Sequence, residues 1–316
     1  MDAAQIVALL NEDILGEHAA LIQYLLHAYA IGESGIACEI EAIARDEMRH
    51  LKWLAELVVE LGGKPSMERG PVDTTGAIPP EWMARDVVAE EKAIDLYREH
   101  IAAIGKPKIT LLLERIVRDE VSHQAKFTGL VEELAAAGQP PVGPIRPEAA
   151  TAAPARPLEI LLQGVQHEYT VVLQYLYHAF TTPHCEIADE LEWQAINEMQ
   201  HMGWFAEKLA SHGAYPGVEP APIDRSEDTA QMLQADIAAE RAVTKDYNDQ
   251  LEELKAANEP GLVQLLSLVR DHEVYHDALF SNLLHELQEG EIPGPASKVP
   301  PAPQWTIGSL HGQKQE

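Results

Sequence analysis

Four times in this chain a glutamate stands three residues ahead of a histidine. The pairs are Glu47 and His50 in "EMRH", Glu120 and His123 in "EVSH", Glu198 and His201 in "EMQH", and Glu273 and His276 in "EVYH". Residues three apart share one face of a helix, so each unit presents a carboxylate beside an imidazole. Four further glutamates, Glu17, Glu90, Glu168 and Glu240, take up apolar positions in neighbouring segments. Grouped by halves, each set holds four carboxylates and two imidazoles, a donor set that suits iron or manganese better than zinc or calcium. Four negative charges neutralise two divalent ions. Without metal, the same carboxylates repel one another and take up protons. Burying them unpaired costs on the order of several kcal/mol each.

The elements that must position these groups are helices. Met83, Val87, Glu90, Ile94, Tyr97, Ile101 and Ile104 advance by alternating steps of four and three, which places Glu90 on an apolar stripe. Leu113, Ile116, Glu120, His123, Phe127, Leu130 and Leu134 keep the same rhythm, and Leu266, Val269, Glu273, His276, Phe280, Leu283 and Leu287 repeat it. Breakers at "IGESG" (31–35), "GKPK" (105–108), "TTPH" (181–184) and "NEPG" (258–261) mark turns, and no strand pattern occurs. Glu17 and Glu47 are 30 residues apart around such a turn, as are Glu90 and Glu120. In an antiparallel helix pair, residues equidistant from the turn lie side by side, so the acids of one bundle reach one level. The proline-rich stretch "KPSMERGPVDTTGAIPP" is long enough to cross back along the bundle and make the second and third helices parallel.

The two halves are copies. "EHAALIQYLLHAY" from Glu17 matches "EYTVVLQYLYHAF" from Glu168, and Trp53 and Trp204 follow the two methionine-bearing units at equal distance. The expected fold is all-α: four-helix bundles at 1–137 and 158–290, a Pro/Ala-rich linker at 138–157, and a proline-rich tail at 291–316. A formal charge of −28 argues against nucleic acid and anionic membranes as partners. Two cysteines, Cys38 and Cys185, supply neither a disulfide framework nor a rubredoxin-type iron site. The opening "MDAAQIVALLNED" has no basic region before an apolar run, and no apolar stretch approaches about 18 residues, so a soluble cytoplasmic protein is expected.

Glu17 with Tyr24, then "DEMRH", Glu90 and "RDEVSH", resembles the ferritin-like diiron superfamily, closest to bacterioferritin and rubrerythrin-type bundles. The resemblance implies that Glu17 and Glu90 are terminal ligands, that Glu47 and Glu120 bridge two metals, and that His50 and His123 complete the sphere. Glu168, Glu198, His201, Glu240, Glu273 and His276 match the same positions in the second half. The implied activity is ferroxidase chemistry, the oxidation of Fe(II) to Fe(III) at two diiron centres, with manganese as an alternative metal. By the same resemblance Tyr24 and Tyr175 stand beside the metals and can supply an electron, while simple packing accounts for them equally well. Tyr97 and Tyr247 are expected to pack. Met48 and Met199 match the methionine that ligates haem between bacterioferritin subunits, and filling an inter-bundle contact is their other reading. No fifth short helix follows the fourth in either half, which argues against the usual cage and leaves open what homo-oligomer forms.

The tail ends "WTIGSLHGQKQE" after a proline-rich spacer, the arrangement of a tethered ligand. Trp305, Ile307 and Leu310 can fill pockets, and Gly308 and Ser309 allow close backbone approach. This resembles the cargo-loading peptide of encapsulin clients and implies a place inside an encapsulin nanocompartment. A ferroxidase cargo is the leading reading. A haem- or metal-binding electron-transfer protein using Met48 and Met199, and a peroxide-consuming dimetal enzyme of rubrerythrin or manganese-catalase type, are the alternatives.

Overall fold

Turn chemistry ends the first helix of each hairpin where the breakers stand. In the computed structural model, which describes residues 1–137, 155–217 and 219–292, α1 (Ala3–Ile31) stops at Gly32, whose φ of 77° suits glycine, and Ser34 caps α2 (Gly35–Glu60) by accepting from Ala37 N. Gly105, left-handed at φ 57°, separates α3 (Pro79–Ile104) from α4 (Pro107–Ala137). The second half repeats the plan with α5 (Arg156–Thr181), α6 (Cys185–Ser211), α7 (Thr229–Ala256) and α8 (Pro260–Glu289). The expected all-α architecture is what forms, with no strand among the described residues. Helix α5 opens at Arg156, inside the stretch read as linker, because Pro157 suits a first helical turn and Arg156 reaches Glu253 at 2.7 Å. The tail beyond residue 292, with Trp305 to Leu310, lies outside the described residues.

Within each half the two helical hairpins, α1 with α2 and α3 with α4, pack through α1 against α3 and α2 against α4, and α5 to α8 follow suit. The crossover after α2 runs along α1 as expected. Asn11 donates to Lys64 O at 3.1 Å, Gly70 N to Leu15 O at 3.0 Å, and Asp73 N to Gln23 Oε1 at 2.7 Å. This order carries the chain from the start of α1 to its end, so α3 begins beside the C-terminal part of α1 and runs antiparallel to it.

The halves also pack on each other, α1 against α6 and α2 against α5. That double duty explains why Leu21 to Tyr29 and Val171 to Phe180 are buried without interruption and show no amphipathic alternation. At the junction His18 meets Tyr169, the residue 151 positions later that occupies the same place in the second copy. His18 Nδ1 faces the carbonyl of Glu68 at 3.2 Å and so must donate, which leaves Nε2 to accept from the Tyr169 hydroxyl at 2.6 Å. Burial pulls His18 down to about 4, keeping it neutral. Lys52 Nζ reaches Glu192 at 2.5 Å and Arg69 pairs with Glu219 across the same seam.

Tyr169→Phe strands a buried ring nitrogen at this junction. Stability measured by denaturant unfolding should drop by about 1–3 kcal/mol. A change below about 0.5 kcal/mol would show that the pair does not hold the halves together.

Candidate metal centres

Glu17 on α1, Glu47 and His50 on α2, Glu90 on α3, and Glu120 and His123 on α4 all converge, and each is at most 4% exposed. They form two overlapping groups, Glu17–Glu47–His50–Glu120 and Glu47–Glu90–Glu120–His123, in each of which one atom per residue lies within 4.8 Å of the others. Glu47 and Glu120 belong to both. The second half gives Glu168–Glu198–His201–Glu273 and Glu198–Glu240–Glu273–His276, with Glu198 and Glu273 shared. All twelve side chains singled out by spacing therefore meet, six in each bundle.

The imidazoles are aimed by their Nδ1 atoms. His50 Nδ1 lies 2.9 Å from Glu120 and 3.1 Å from Glu47, and His123 Nδ1 lies 2.9 Å from Glu47 and 3.2 Å from Glu120. His201 Nδ1 is 2.7 Å from Glu198, and His276 Nδ1 is 2.6 Å from Glu198. Glu168 Oε2 and Glu240 Oε2 are buried and accept no hydrogen bond, and Glu47 Oε1, Glu120 Oε1, Glu198 Oε1 and Glu273 Oε1 have only an imidazole Nδ1 close by, in poor hydrogen-bond geometry. Orphaned carboxylate oxygens in a core are costly, and a cation among them removes the cost. The donor set fits a pair of metal ions in each half.

Protonation in the metal-free protein follows the same crowding. Burial, then the charge of Glu120, raises Glu17; burial and Glu47 raise Glu90; burial and Glu198 raise Glu240. Burial also pushes Glu120 upward, but hydrogen bonds from His123 and His50 overcome it and bring Glu120 down to about 2. For the histidines burial opposes the charged form and the carboxylates win: His50 rises strongly, His123 to about 10, His201 to about 12 and His276 to about 9. Protons thus stand where cations would.

Four tyrosines close the pockets. Tyr24 donates to Glu90 Oε1 at 2.7 Å and Tyr175 to Glu240 Oε1. Tyr97 donates to Glu17 Oε1 and Tyr247 to Glu168 Oε1, so packing alone does not describe these two: each hydroxyl orients one outer glutamate. Met48 and Met199 are half-buried and pack against the hydrophobic core. A cavity of about 360 Å³ runs from exposed Arg85, Val88 and Lys92 inward to Glu17, Glu47, Glu90 and Glu120, an open path to the first centre.

Sequence reasoning missed a second buried layer. Asp86, wholly buried on α3, accepts from Gln23 Nε2 at 2.8 Å and lies 2.9 Å from His27 Nδ1; Asp236 does the same with Gln174 at 2.8 Å and His178 at 3.0 Å. This network ties α1 to α3, and α5 to α7, one turn from Glu90 and Glu240. The signal was present in the repeated "QYLLHA" and "QYLYHA", where Gln and His flank the tyrosine at helical spacing, and in an aspartate four residues before each third glutamate.

A model of the ferritin-like domain matches residues 7–137 and again 158–289. The chain belongs to the ferritin-like domain family. Among its relatives, the bacterioferritin of Desulfovibrio desulfuricans is 28% identical over 133 residues, covering 40% of this chain and 74% of that protein. The bacterioferritin of Streptomyces coelicolor is 32% identical over 125 residues, 38% of this chain and 75% of that protein. An X-ray structure of the Desulfovibrio desulfuricans bacterioferritin aligns with a TM-score of 0.41 at 28% identity, over 43% of this chain and 84% of that one. No helix among the described residues of this ferritin-like chain is long and apolar enough to cross a membrane.

The titrations set the pH response of the metal-free protein. Groups raised on folding, His123, His201 and His276, contribute fully below 6.5 and lose that contribution as pH climbs through about 9 to 12. Glu17, Glu90 and Glu240, also raised, cost stability increasingly above 4.5. The melting temperature without metal should fall between about pH 6.5 and 10, and the increase on adding Mn(II) should grow over the same range. A metal-induced shift that shrinks as pH rises would contradict the assignment.

Proposed function

We propose that each half of the chain is a ferroxidase centre, which takes up two Fe(II) ions, passes their electrons to dioxygen and yields Fe(III) for storage. The observation that carries this reading is the overlap of two four-residue groups through a shared pair of glutamates, Glu47 with Glu120 and Glu198 with Glu273. Shared carboxylates bridge two ions. Membership of the ferritin-like family and the likeness to bacterioferritins support it.

On this reading Glu17 and Glu90 hold the outer sides of the first pair, and Glu168 and Glu240 those of the second. On each outer glutamate the tyrosine hydroxyl takes Oε1, so Oε2 is the oxygen that would face the metal. Four carboxylates match the charge of two Fe(II) ions, so the substrate enters a buried pocket without a charge imbalance. Two Fe(II) surrender two electrons, which with two protons reduce dioxygen to hydrogen peroxide. Tyr24 and Tyr175 donate their hydroxyls to Glu90 and Glu240 and so would orient these outer glutamates beside the metal pair. The buried Gln23–Asp86–His27 and Gln174–Asp236–His178 networks keep the helices carrying these groups in register.

The terminal peptide, Trp305, Ile307, Gly308, Ser309 and Leu310 behind a proline-rich spacer, supports a place for the chain inside an encapsulin shell, which would hold the oxidised iron. This part of the proposal rests on sequence.

Glu47→Ala combined with Glu198→Ala should abolish oxygen-dependent Fe(II) oxidation, followed by ferric absorbance and oxygen consumption. Retention of full activity would refute the site. Deleting residues 304–316 should leave oxidation intact and prevent loading when chain and shell are co-expressed; undiminished co-purification of the truncated chain with the shell would remove the cargo role.

A further inference from the structure

The two centres share the same set of four glutamates and two histidines but differ in the groups behind them. In the first half the outer imidazole nitrogens face carboxylates: His123 Nε2 donates to Asp46 Oδ2 at 3.2 Å, and His50 Nε2 lies 3.5 Å from Asp119 Oδ2, a charge contact. Arginines hold these acids in turn, Arg49 on Asp46 at 2.5 Å and Arg115 on Asp119 at 3.0 Å. In the second half the residues immediately ahead of the shared glutamates are Asn197 and His272. His201 Nε2 pairs with His272 Nδ1 at 2.8 Å, and the Asn197 amide donates to Gln194 Oε1 at 2.9 Å. Gln200 and Leu268 stand where the first half has Arg49 and Arg115. An entire outer layer of charge has become neutral.

The direction of the His201–His272 bond follows from the ligand role. For Nδ1 of His201 to offer its lone pair to a metal, its Nε2 must carry the proton, so His272 Nδ1 accepts. A neutral imidazole is a weaker acceptor than a carboxylate. His50 and His123, with anionic partners on Nε2, are pushed toward imidazolate character and become stronger donors through Nδ1; His201 is not. The surroundings of the outer glutamates diverge as well. One turn before Glu17, Asp13 and His100 form a buried pair at 2.7 Å, whereas the second half has Gly164 at the matching place, with Phe205 packed so close that a Cβ would sit 2.7 Å from its ring.

We propose that the two centres are inequivalent by construction: Asp46 and Asp119 make the first centre the tighter metal holder, and Asn197 and His272 make the second the weaker one. This rests on the reading that both sets of glutamates and histidines hold metal. Asp46, Asp119 and His272 act as positioning residues, through the imidazoles they touch. Removal of such an outer partner weakens metal binding about 10–100-fold. The first centre then fills at low Fe(II), and the second joins only when Fe(II) is abundant, so one chain answers two concentration ranges.

Anaerobic titration of the full chain with Co(II), followed by visible absorption and calorimetry, tests this. Two classes of site are expected, differing about 10–100-fold in affinity, the tighter lost in Glu47→Ala and the weaker in Glu198→Ala. Asn197→Asp with His272→Asp should tighten the second class toward the first, a gain that structural damage does not produce. Asp46→Asn with Asp119→His should loosen the first class toward the second. One uniform class in the unaltered chain, or a second class that fails to tighten in the aspartate variant, overturns the proposal. Should that variant not fold, an unchanged tight class in the reciprocal first-half variant overturns it. Absence of Co(II) binding in both halves would instead overturn the metal-centre reading on which it stands.

Discussion

Carboxylates crowded inside an apolar bundle repel one another, and that repulsion must be offset before anything else in this chain can pack. Glu17, Glu47, Glu90 and Glu120 meet with at most 4% exposure, as do Glu168, Glu198, Glu240 and Glu273. In the metal-free protein the balance is struck with protons, kept on the raised glutamates and on histidines whose basicity the carboxylates increase. A pair of divalent ions performs the same office with full charges and without leaving oxygens orphaned. The bundle geometry follows from this need: the crossover bonded along α1 sets α3 antiparallel to it, and that register brings Tyr24 to Glu90 and Tyr97 to Glu17. A slip of one turn would break all of these contacts together.

Duplication within one chain adds a freedom that identical subunits lack. The two copies meet through α1, α2, α5 and α6, yet the contact at their junction uses different residues at equivalent positions, His18 on one side and Tyr169 on the other. Each supplies what the other lacks, an acceptor for a hydroxyl. The same freedom reaches the surroundings of the metal pockets, where Asp46 and Asp119 correspond to Asn197 and His272 while the twelve inner groups are retained. Inner groups are held by mutual charge balance, and outer ones are not.

Much of this was legible in the sequence because the decisive signal is local. Glutamate and histidine three apart on an apolar stripe can be placed on one helix face without knowing any tertiary contact, and equal spacing about a glycine-bearing turn then places two helices at one level. Gly105 and Ser34 mark ends of the hairpins for reasons of backbone freedom and capping that residue type alone conveys. What escaped was nonlocal. Gln23 and Asp86 are 63 residues apart, and nothing in either segment says that they meet. Tyr97 and Tyr247 looked like core filling because their rings are; the hydroxyl bonds to Glu17 and Glu168 depend on the height at which α3 crosses α1, and α7 crosses α5. Arg156, where α5 starts, meets Glu253, 97 residues away.

The central claim is that two pairs of metal ions sit between the shared glutamates. Anomalous diffraction from crystals of the full chain soaked anaerobically in Fe(II), recorded at the iron edge, tests it most directly. The account predicts two pairs of peaks, one between Glu47 and Glu120 and one between Glu198 and Glu273, with the pair in the first half the more fully occupied. Iron found only on the acidic surface, or a single peak per bundle lying away from these carboxylates, would contradict it.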